Sequence, residues 1–134
     1  MPTLQDRIHS SGRSGHIDFS VEERNEEYVI SRMPVSEGIL NPFGVVHAGA
    51  MVWLADVTAT ILAIGNREMG PEGKGFPLAI DLHVSLLSNQ RDGEIKAEAR
   101  FVRKGERLMV VRTRLTGKEN RLLAEVTSTH IPAA

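Results

Sequence analysis

The chain has no cysteine among its 134 residues. Disulfide bonds and thiolate metal sites are therefore excluded. Aromatic residues are also scarce, at four phenylalanines, one tyrosine and one tryptophan. They give no basis for predicting a ring-shaped ligand.

The sequence also lacks the patterns of a secretion signal and of a membrane-spanning helix. Residues 1–15 are polar and contain no apolar stretch of the kind found in signal peptides. The stretch from Asn41 to Gly65 approaches membrane-spanning length, but Asp56 lies inside it and His47 near its start. We therefore expect a cytoplasmic protein that does not enter a membrane.

The amino-acid composition predicts one folded domain. Apolar residues make up 41% of the chain and the formal net charge is −1, as is typical of folded proteins. We find no repeat, so we predict a single domain over residues 1–134, with a lead-in over about residues 1–15. Residues 91–121 hold ten lysines and arginines against five acidic residues. This basic region suits a ligand with phosphate groups, and a solvated sheet face is the alternative.

The stretch from Asn41 to Gly65 predicts a buried helix from about Ala48. Its positions at helical spacing form one apolar face: Met51, Leu54, Ala55, Thr58, Ile61 and Leu62. Other positions, such as Val52, Trp53 and Val57, are apolar too, so the helix is expected to be largely buried. Asp56 would be costly to bury without a partner. It must therefore be neutralised, hydrogen-bonded or exposed to a site that contains water.

The rest of the chain predicts strands. Residues 16–22 and 27–33 indicate two short strands around a turn. After Phe76, Ile80, Leu82, Val84 and Leu86 are predicted to share one face of a strand. Short glycine-containing turns separate residues 94–101, 107–116 and 121–131, which predicts an antiparallel meander. The fold class is therefore α+β, with one long buried helix against an antiparallel sheet of five or six strands.

Metal and nucleotide motifs are not evident. The five histidines show no paired metal-ligand spacing; they are His9, His16, His47, His83 and His130. The glycines between Gly70 and Gly75 lack the strand-before, helix-after context of a phosphate-binding loop. We predict no metal and no cofactor.

A set of residues at fixed spacing resembles a known family. It comprises Asn41, Gly44, His47 and Gly49, then Leu54-Ala55-Asp56, Asp81-Leu82 and the hairpin from Val102 to Gly105. This pattern is similar to that of the PaaI-type acyl-CoA thioesterases, which have the hotdog fold. The resemblance covers about residues 38–130 and implies hydrolysis of an acyl-CoA or aryl-acyl-CoA to free acid and CoA.

The resemblance assigns roles to the residues of the motif. Asp56 would be the general base or the nucleophile, and the backbone N–H of Ala48 would donate to the developing oxyanion. Asn41 and His47 would shape the site of the thioester carbonyl, with Gly49 beside it. The positive end of the helix dipole would assist.

Two positions depart from the family pattern. The usual His-Gly-Gly is His47-Ala48-Gly49 here, which keeps the backbone N–H and adds a methyl group. Many members carry Ser or Thr on the strand after the helix, where this chain has Ala79. Thr58 or Thr60 is the candidate replacement.

The resemblance also predicts partners. Arg103, Lys104 and Arg107 would contact the phosphates of CoA, and solvated hairpin charges are the alternative. Hotdog subunits pair through sheet edges and place the active site between two subunits, so we expect a homodimer that pairs again into a homotetramer. Nucleic acid is not expected, because about 15 residues before the first strand are too few for a helix-turn-helix.

Two other functions remain open on the sequence. One is a hotdog hydratase or dehydratase acting on acyl thioesters. The other is an acyl-CoA-binding protein without catalytic activity.

Overall fold

The computed structural model describes residues 1–6 and 15–134. Most of the predicted lead-in, residues 7–14, lies outside the described residues. The elements in chain order are β1 (Ser20–Arg24), β2 (Tyr28–Pro34), α1 (Ala48–Ile64), β3 (Pro77–Leu86), β4 (Glu94–Lys104), β5 (Met109–Thr116) and β6 (Leu122–Pro132). Single 3-10 turns lie at Glu37–Ile39, Pro71–Gly73 and Lys118–Asn120. The predicted α+β class is confirmed.

The six strands form one antiparallel sheet in the order β1-β2-β4-β5-β6-β3. The predicted meander is confirmed, because β4, β5 and β6 are neighbours along both the chain and the sheet. β1 and β3 are the two edge strands. The crossover from β2 to β3 carries α1 across one face of the sheet.

α1 begins and ends where the local sequence allows it. His47 is the N-cap in an extended conformation, with φ −60° and ψ 137°. Gly65 ends the helix with a positive φ of 55°, which glycine adopts readily. The Arg24 side chain of β1 donates a hydrogen bond to the Gly65 carbonyl at 2.7 Å.

The core lies between α1 and the inner face of the sheet. Ile95, Ala97 and Ala99 of β4 are fully buried and alternate with charged residues, as the period of two predicts. Small residues of the helix and of β4 lie in the same core clusters: Ala55 shares one with Ala97, and Ala59 shares another with Ala99. These pairs let the helix lie close to the sheet.

The predicted apolar face of α1 is buried at five of its six positions. Met51, Leu54, Ala55, Thr58 and Leu62 are each at most 2% exposed. Ile61 is only half-buried. The side of the helix that points away from the sheet keeps Val52, Trp53 and Val57 half-buried.

Two strand predictions are wrong in detail. Residues 16–19 are not in a strand, because Ile17 and Phe19 pack against the core cluster under the helix instead of pairing with β2. In β3 the register shifts between Ala79 and Asp81, so Ile80 has no partner on β6. Leu82, Val84 and Leu86 oppose buried positions of β6, and so does Ala79, so the bulge at Ile80 interrupts the strict alternation along β3.

Candidate active site

A cavity of about 460 Å³ lies between α1 and the start of β3. Its lining residues are Phe19, Asp56, Val57, Thr60, Ile61, Phe76, Pro77, Leu78 and Ala79. Among these described residues, Asp56 is the only one that can carry a charge, and the Thr60 hydroxyl is the only other polar side chain. The cavity is therefore an apolar space with one carboxylate.

Asp56 is half-buried and has no cationic partner in the structure. None of the ion pairs in residues 1–6 and 15–134 includes it. Thr60 lies one helical turn further on and lines the same cavity. The carboxylate is thus presented to the cavity instead of being held by the protein.

A second group of polar atoms lies at the start of α1. The backbone N–H groups of Ala48 and Gly49 have no intrahelical acceptor, since they are in the first turn. Both residues are exposed, and a Cβ added at Gly49 would meet no atom of the chain within 4 Å. Two N–H groups without a helical acceptor therefore lie at an exposed helix N-terminus, where a negative charge is favoured.

The loop before the helix is organised by Asn41. Its side-chain oxygen accepts hydrogen bonds from the N–H groups of Phe43 at 2.8 Å and Val45 at 3.2 Å. Gly44 closes the turn at a φ of +83°, a conformation that favours glycine. Asn41 thus builds the loop that leads to the helix N-terminus, and its position at the thioester carbonyl stays a prediction.

His47 is placed at the junction of this loop and the helix. Its N–H donates to the Ile39 carbonyl at 2.9 Å, and its own carbonyl accepts from Ala50 and Met51. The half-buried imidazole makes no capping hydrogen bond. The side chain is therefore left available beside the Ala48 and Gly49 donors.

The structure does not bring Asp56 and Ala48 together within one chain. They are eight residues apart on the same helix, which at 1.5 Å per residue is about 12 Å along the axis. A carboxylate and an N–H that act on one carbonyl must both lie within a few ångströms of it. One copy of the chain therefore holds two separate halves of the predicted site.

Thr58 and Ala79 differ in whether they line the cavity. Thr58 is fully buried toward the sheet, where its hydroxyl bonds the Leu54 carbonyl at 2.6 Å and the Ser31 hydroxyl at 2.5 Å. It does not line the cavity. Ala79 does, together with Thr60. Of the two threonines considered as replacements for the family hydroxyl, the geometry therefore favours Thr60.

The basic region divides into parts with different surroundings. On the outer sheet face, Arg100 pairs with Glu98 at 2.7 Å and Arg112 pairs with Glu125 at 3.4 Å. This part is the solvated sheet face that the sequence left as an alternative. Arg103, Lys104 and Arg107 lie at the β4–β5 hairpin, are exposed and form no ion pair with the described acidic groups.

His130 is a buried group that the sequence did not single out. It lies on β6 opposite Ala79, with Nε2 at 2.8 Å from the Ser128 hydroxyl and Nδ1 at 3.4 Å from the Pro77 carbonyl oxygen. Burial lowers the pKa of His130, against smaller raising effects of the Pro77 carbonyl and the Asp56 charge. Sequence spacing carried no signal for this position, because its burial depends on Ala79 and Pro77 of β3 as well as on Ser128 of its own strand.

Within the described part of the chain, histidine and acidic side chains form no cluster of three that could hold a metal ion. No helix in residues 1–6 and 15–134 has the length and apolar character to cross a membrane.

Comparisons with known proteins show what this chain and its fold are similar to. The chain is similar to the 1,4-dihydroxy-2-naphthoyl-CoA hydrolase of Escherichia coli, at 22% identity over 81% of this chain and 76% of that protein. A solved thioesterase of Haemophilus influenzae superposes with a TM-score of 0.77 at 25% identity, over 98% of this chain and 90% of that one. A Streptococcus mutans protein solved with bound acetyl-CoA gives 0.76 at 19% identity, covering 87% of this chain and 90% of that one.

The predicted hotdog fold is confirmed by these superpositions, and the family match together with the named relatives identifies a thioester hydrolase. Residues 43–124 match the thioesterase superfamily, and the chain belongs to that family. The PaaI subtype stays a prediction.

Proposed function

We propose that this protein hydrolyses the thioester of an acyl-CoA to a free acid and CoA. The observation that carries the proposal is the cavity of about 460 Å³ with one unpaired carboxylate, Asp56, in a chain of the thioesterase superfamily. A thioester presents an apolar acyl group next to an electrophilic carbonyl carbon. An apolar cavity with a single carboxylate suits both parts.

In the proposed reaction Asp56 acts in one of two ways. As a general base it takes a proton from a water molecule, whose oxygen attacks the carbonyl carbon. As a nucleophile its carboxylate oxygen attacks directly, and water then hydrolyses the anhydride that forms. In both cases the C–S bond breaks and CoA leaves as a thiol after taking up a proton. Thr60, which lines the same cavity, would hold the attacking water.

The oxyanion that forms during attack needs donors that one chain does not bring to Asp56. We propose that the N–H groups of Ala48 and Gly49 of the partner subunit supply them, with His47 and Asn41 shaping that side of the site. The separation of about 12 Å along α1 supports this arrangement. In a two-fold dimer, each Asp56 would then work with the helix N-terminus of the other copy, giving two sites.

The edge strand β3 supports a homodimer. Its apolar side chains Leu78, Ile80, Leu82 and Leu86 are 42–55% exposed in the single chain. A long apolar edge of this kind is normally covered by another strand or another copy. Assembly into a tetramer and location in the cytoplasm stay predictions from the sequence.

The hairpin cations Arg103, Lys104 and Arg107 are proposed to contact the phosphates of CoA. Support comes from their exposure without acidic partners, which leaves them free to bind an anion. Acetyl-CoA bound to the Streptococcus mutans protein, which has the same fold, agrees with a CoA ester as the substrate.

Asp56→Asn tests the proposal. It keeps the shape of the side chain and removes the base or nucleophile, so kcat should fall by about 10² to 10⁴ with a small change in KM. Because Asp56 has no cationic partner among the described residues, the melting temperature should change little. Thiol release from a panel of acyl-CoAs, measured beside thermal unfolding, gives both readouts.

Asp92→Asn is the matched control, since it makes the same chemical change in an exposed ion pair with Lys118. Near-normal kcat in Asp56→Asn would contradict the catalytic role. Turnover of a 2-enoyl-CoA without thiol release would instead support the hydratase, and binding without any turnover would support the acyl-CoA-binding protein.

A further inference from the structure

The segment before β1 forms a wall of the candidate active site. Residues 15–19 precede the sheet, and Ile17 and Phe19 are half-buried against the core cluster. The Gly15 N–H donates to the Gly38 carbonyl at 3.2 Å, which fixes the start of this segment to the loop after β2. The segment is thus held in place by a backbone hydrogen bond at its start and by packing on the core at Ile17 and Phe19.

Phe19 is the residue of this segment that reaches the cavity. Its ring packs edge-to-face on Trp53, with 5.4 Å between ring centroids and an interplanar angle of 82°. This geometry is favourable for aromatic pairs. Trp53 precedes Asp56 by less than one helical turn, so the Trp53 contact holds the Phe19 ring close to the carboxylate.

The rest of the cavity decides what kind of group it can accept. The wall formed by Phe76, Pro77 and Leu78 is apolar, and α1 contributes Val57 and Ile61. Beyond Asp56 and Thr60 no lining side chain can form a hydrogen bond. A group that extends from the reacting carbonyl into this space therefore has to be apolar, because polar groups would lose their hydrogen bonds to water without replacement.

We propose that Phe19 sets the size of the apolar acyl group that the enzyme accepts. This inference rests on the proposed acyl-CoA hydrolysis. Phe19 is suited to the role because it comes from a segment outside both the sheet and the helix. A smaller side chain there would enlarge the cavity without interrupting a strand ladder or a helical turn.

The test compares Phe19→Ala with Ile17→Ala over a series of saturated acyl-CoAs of increasing chain length. Ile17 lies in the same segment and packs against the same core, but it does not line the cavity. In Phe19→Ala the ratio of kcat/KM for long over short chains should rise about 10-fold or more, the size of effect that one methylene has in an apolar pocket. Phe19→Leu should fall between the wild type and Phe19→Ala. In Ile17→Ala the ratio should stay at the wild-type value.

A second readout does not depend on turnover. Binding of non-hydrolysable alkyl thioether analogues of the same CoA series can be followed by calorimetry and by the fluorescence of Trp53, the only tryptophan in the chain. The preferred chain length should increase in Phe19→Ala by this measure too. If the wild type binds the series but hydrolyses none of it, the proposed function fails while the role of Phe19 is still tested.

A uniform change across all chain lengths in Phe19→Ala, equal to that in Ile17→Ala, would overturn the inference. It would mean that Phe19 only stabilises the packing of the segment. An unchanged chain-length preference in the folded Phe19→Ala protein would overturn it as well.

Discussion

The two edges of the sheet differ in length, charge and exposed apolar surface. β1 has five residues, Ser-Val-Glu-Glu-Arg, and its register shifts between Val21 and Glu23. Its Glu22 pairs with Arg32 at 3.0 Å. β3 has ten residues, and four of its eight exposed residues are leucine or isoleucine.

The two edge strands therefore differ in how well they are protected from pairing with another chain. Short length, charge and a bulge protect a strand edge from pairing with another chain. β1 has all three, whereas β3 also has a bulge but is long and apolar. The candidate active site lies beside β3, where Pro77, Leu78 and Ala79 line the cavity. The unprotected edge is therefore the edge across which we expect a second copy to complete the site.

Placing charges on the apolar edge strand β3 should have the largest effect on assembly and activity. Leu82→Lys together with Leu86→Lys places two charges on β3, as natural edge strands do to avoid pairing. We expect the wild type to have twice the mass of the 14.7 kDa chain or more, and the double variant to be monomeric. Its kcat should fall by about 10³ or more, because both the oxyanion donors and the closed site are lost.

The matched control is Val21→Lys on β1, which also places a lysine at an exposed apolar position of an edge strand. It should change neither the mass nor kcat. Light scattering gives the mass, and circular dichroism checks that the β3 variant stays folded. A wild-type protein that is monomeric at micromolar concentration and fully active would contradict the proposed dimer.

A smaller effect, on the pH dependence of the melting temperature, is expected from His130, which lies on β6 next to β3. Its pKa is lowered by burial in the folded state, below the ordinary value of 6.5. The unfolded chain therefore binds the proton more readily, so stability is lost as the pH falls from about 6.5 toward the folded pKa. The melting temperature of the wild type should decrease over this interval.

His130→Gln removes the titrating group and keeps a side chain that can hydrogen-bond. It should melt at a lower temperature than the wild type at pH 8, because the bonds to Ser128 and Pro77 are weakened. As the pH is lowered from 6.5, the melting temperature of His130→Gln should decrease less than that of the wild type. Parallel curves for the two proteins would show that His130 does not contribute to acid sensitivity.

The sequence was sufficient for features that depend on local periodicity. The start of α1 at Ala48 and the alternation of Ile95, Ala97 and Ala99 follow from spacing along the chain alone. Asp56 could be singled out because a carboxylate is rare in a buried apolar helix. These signals are local, so no knowledge of distant contacts was needed.

Other features depend on contacts between distant segments. The alternation of Ile17 and Phe19 predicted a strand, but packing of Phe19 on Trp53 takes that segment out of the sheet. Thr58 and Thr60 are equally plausible from spacing, and only the direction of each side chain separates the buried Thr58 from the cavity-lining Thr60. The bulge at Ile80 arises from pairing with β6, which the sequence of β3 does not specify.

The central claim is that one site uses Asp56 from one copy and the Ala48 N–H from the other. Ala48→Pro removes that N–H with little strain, because proline is favoured at the first helical position and the extended His47 is compatible with a following proline. It should lower kcat by about 10² to 10³, whereas Ala48→Gly, which keeps the N–H, should stay active.

The most direct measurement combines the two inactive chains. Asp56→Asn and Ala48→Pro are co-expressed with different affinity tags, and mixed dimers are isolated by tandem purification. If the site is shared, each mixed dimer has one site with both changes and one with neither, so it should recover about half of the wild-type kcat per dimer. If both groups acted within one chain, neither site would be intact, and a mixed dimer no more active than its two parents would contradict the account.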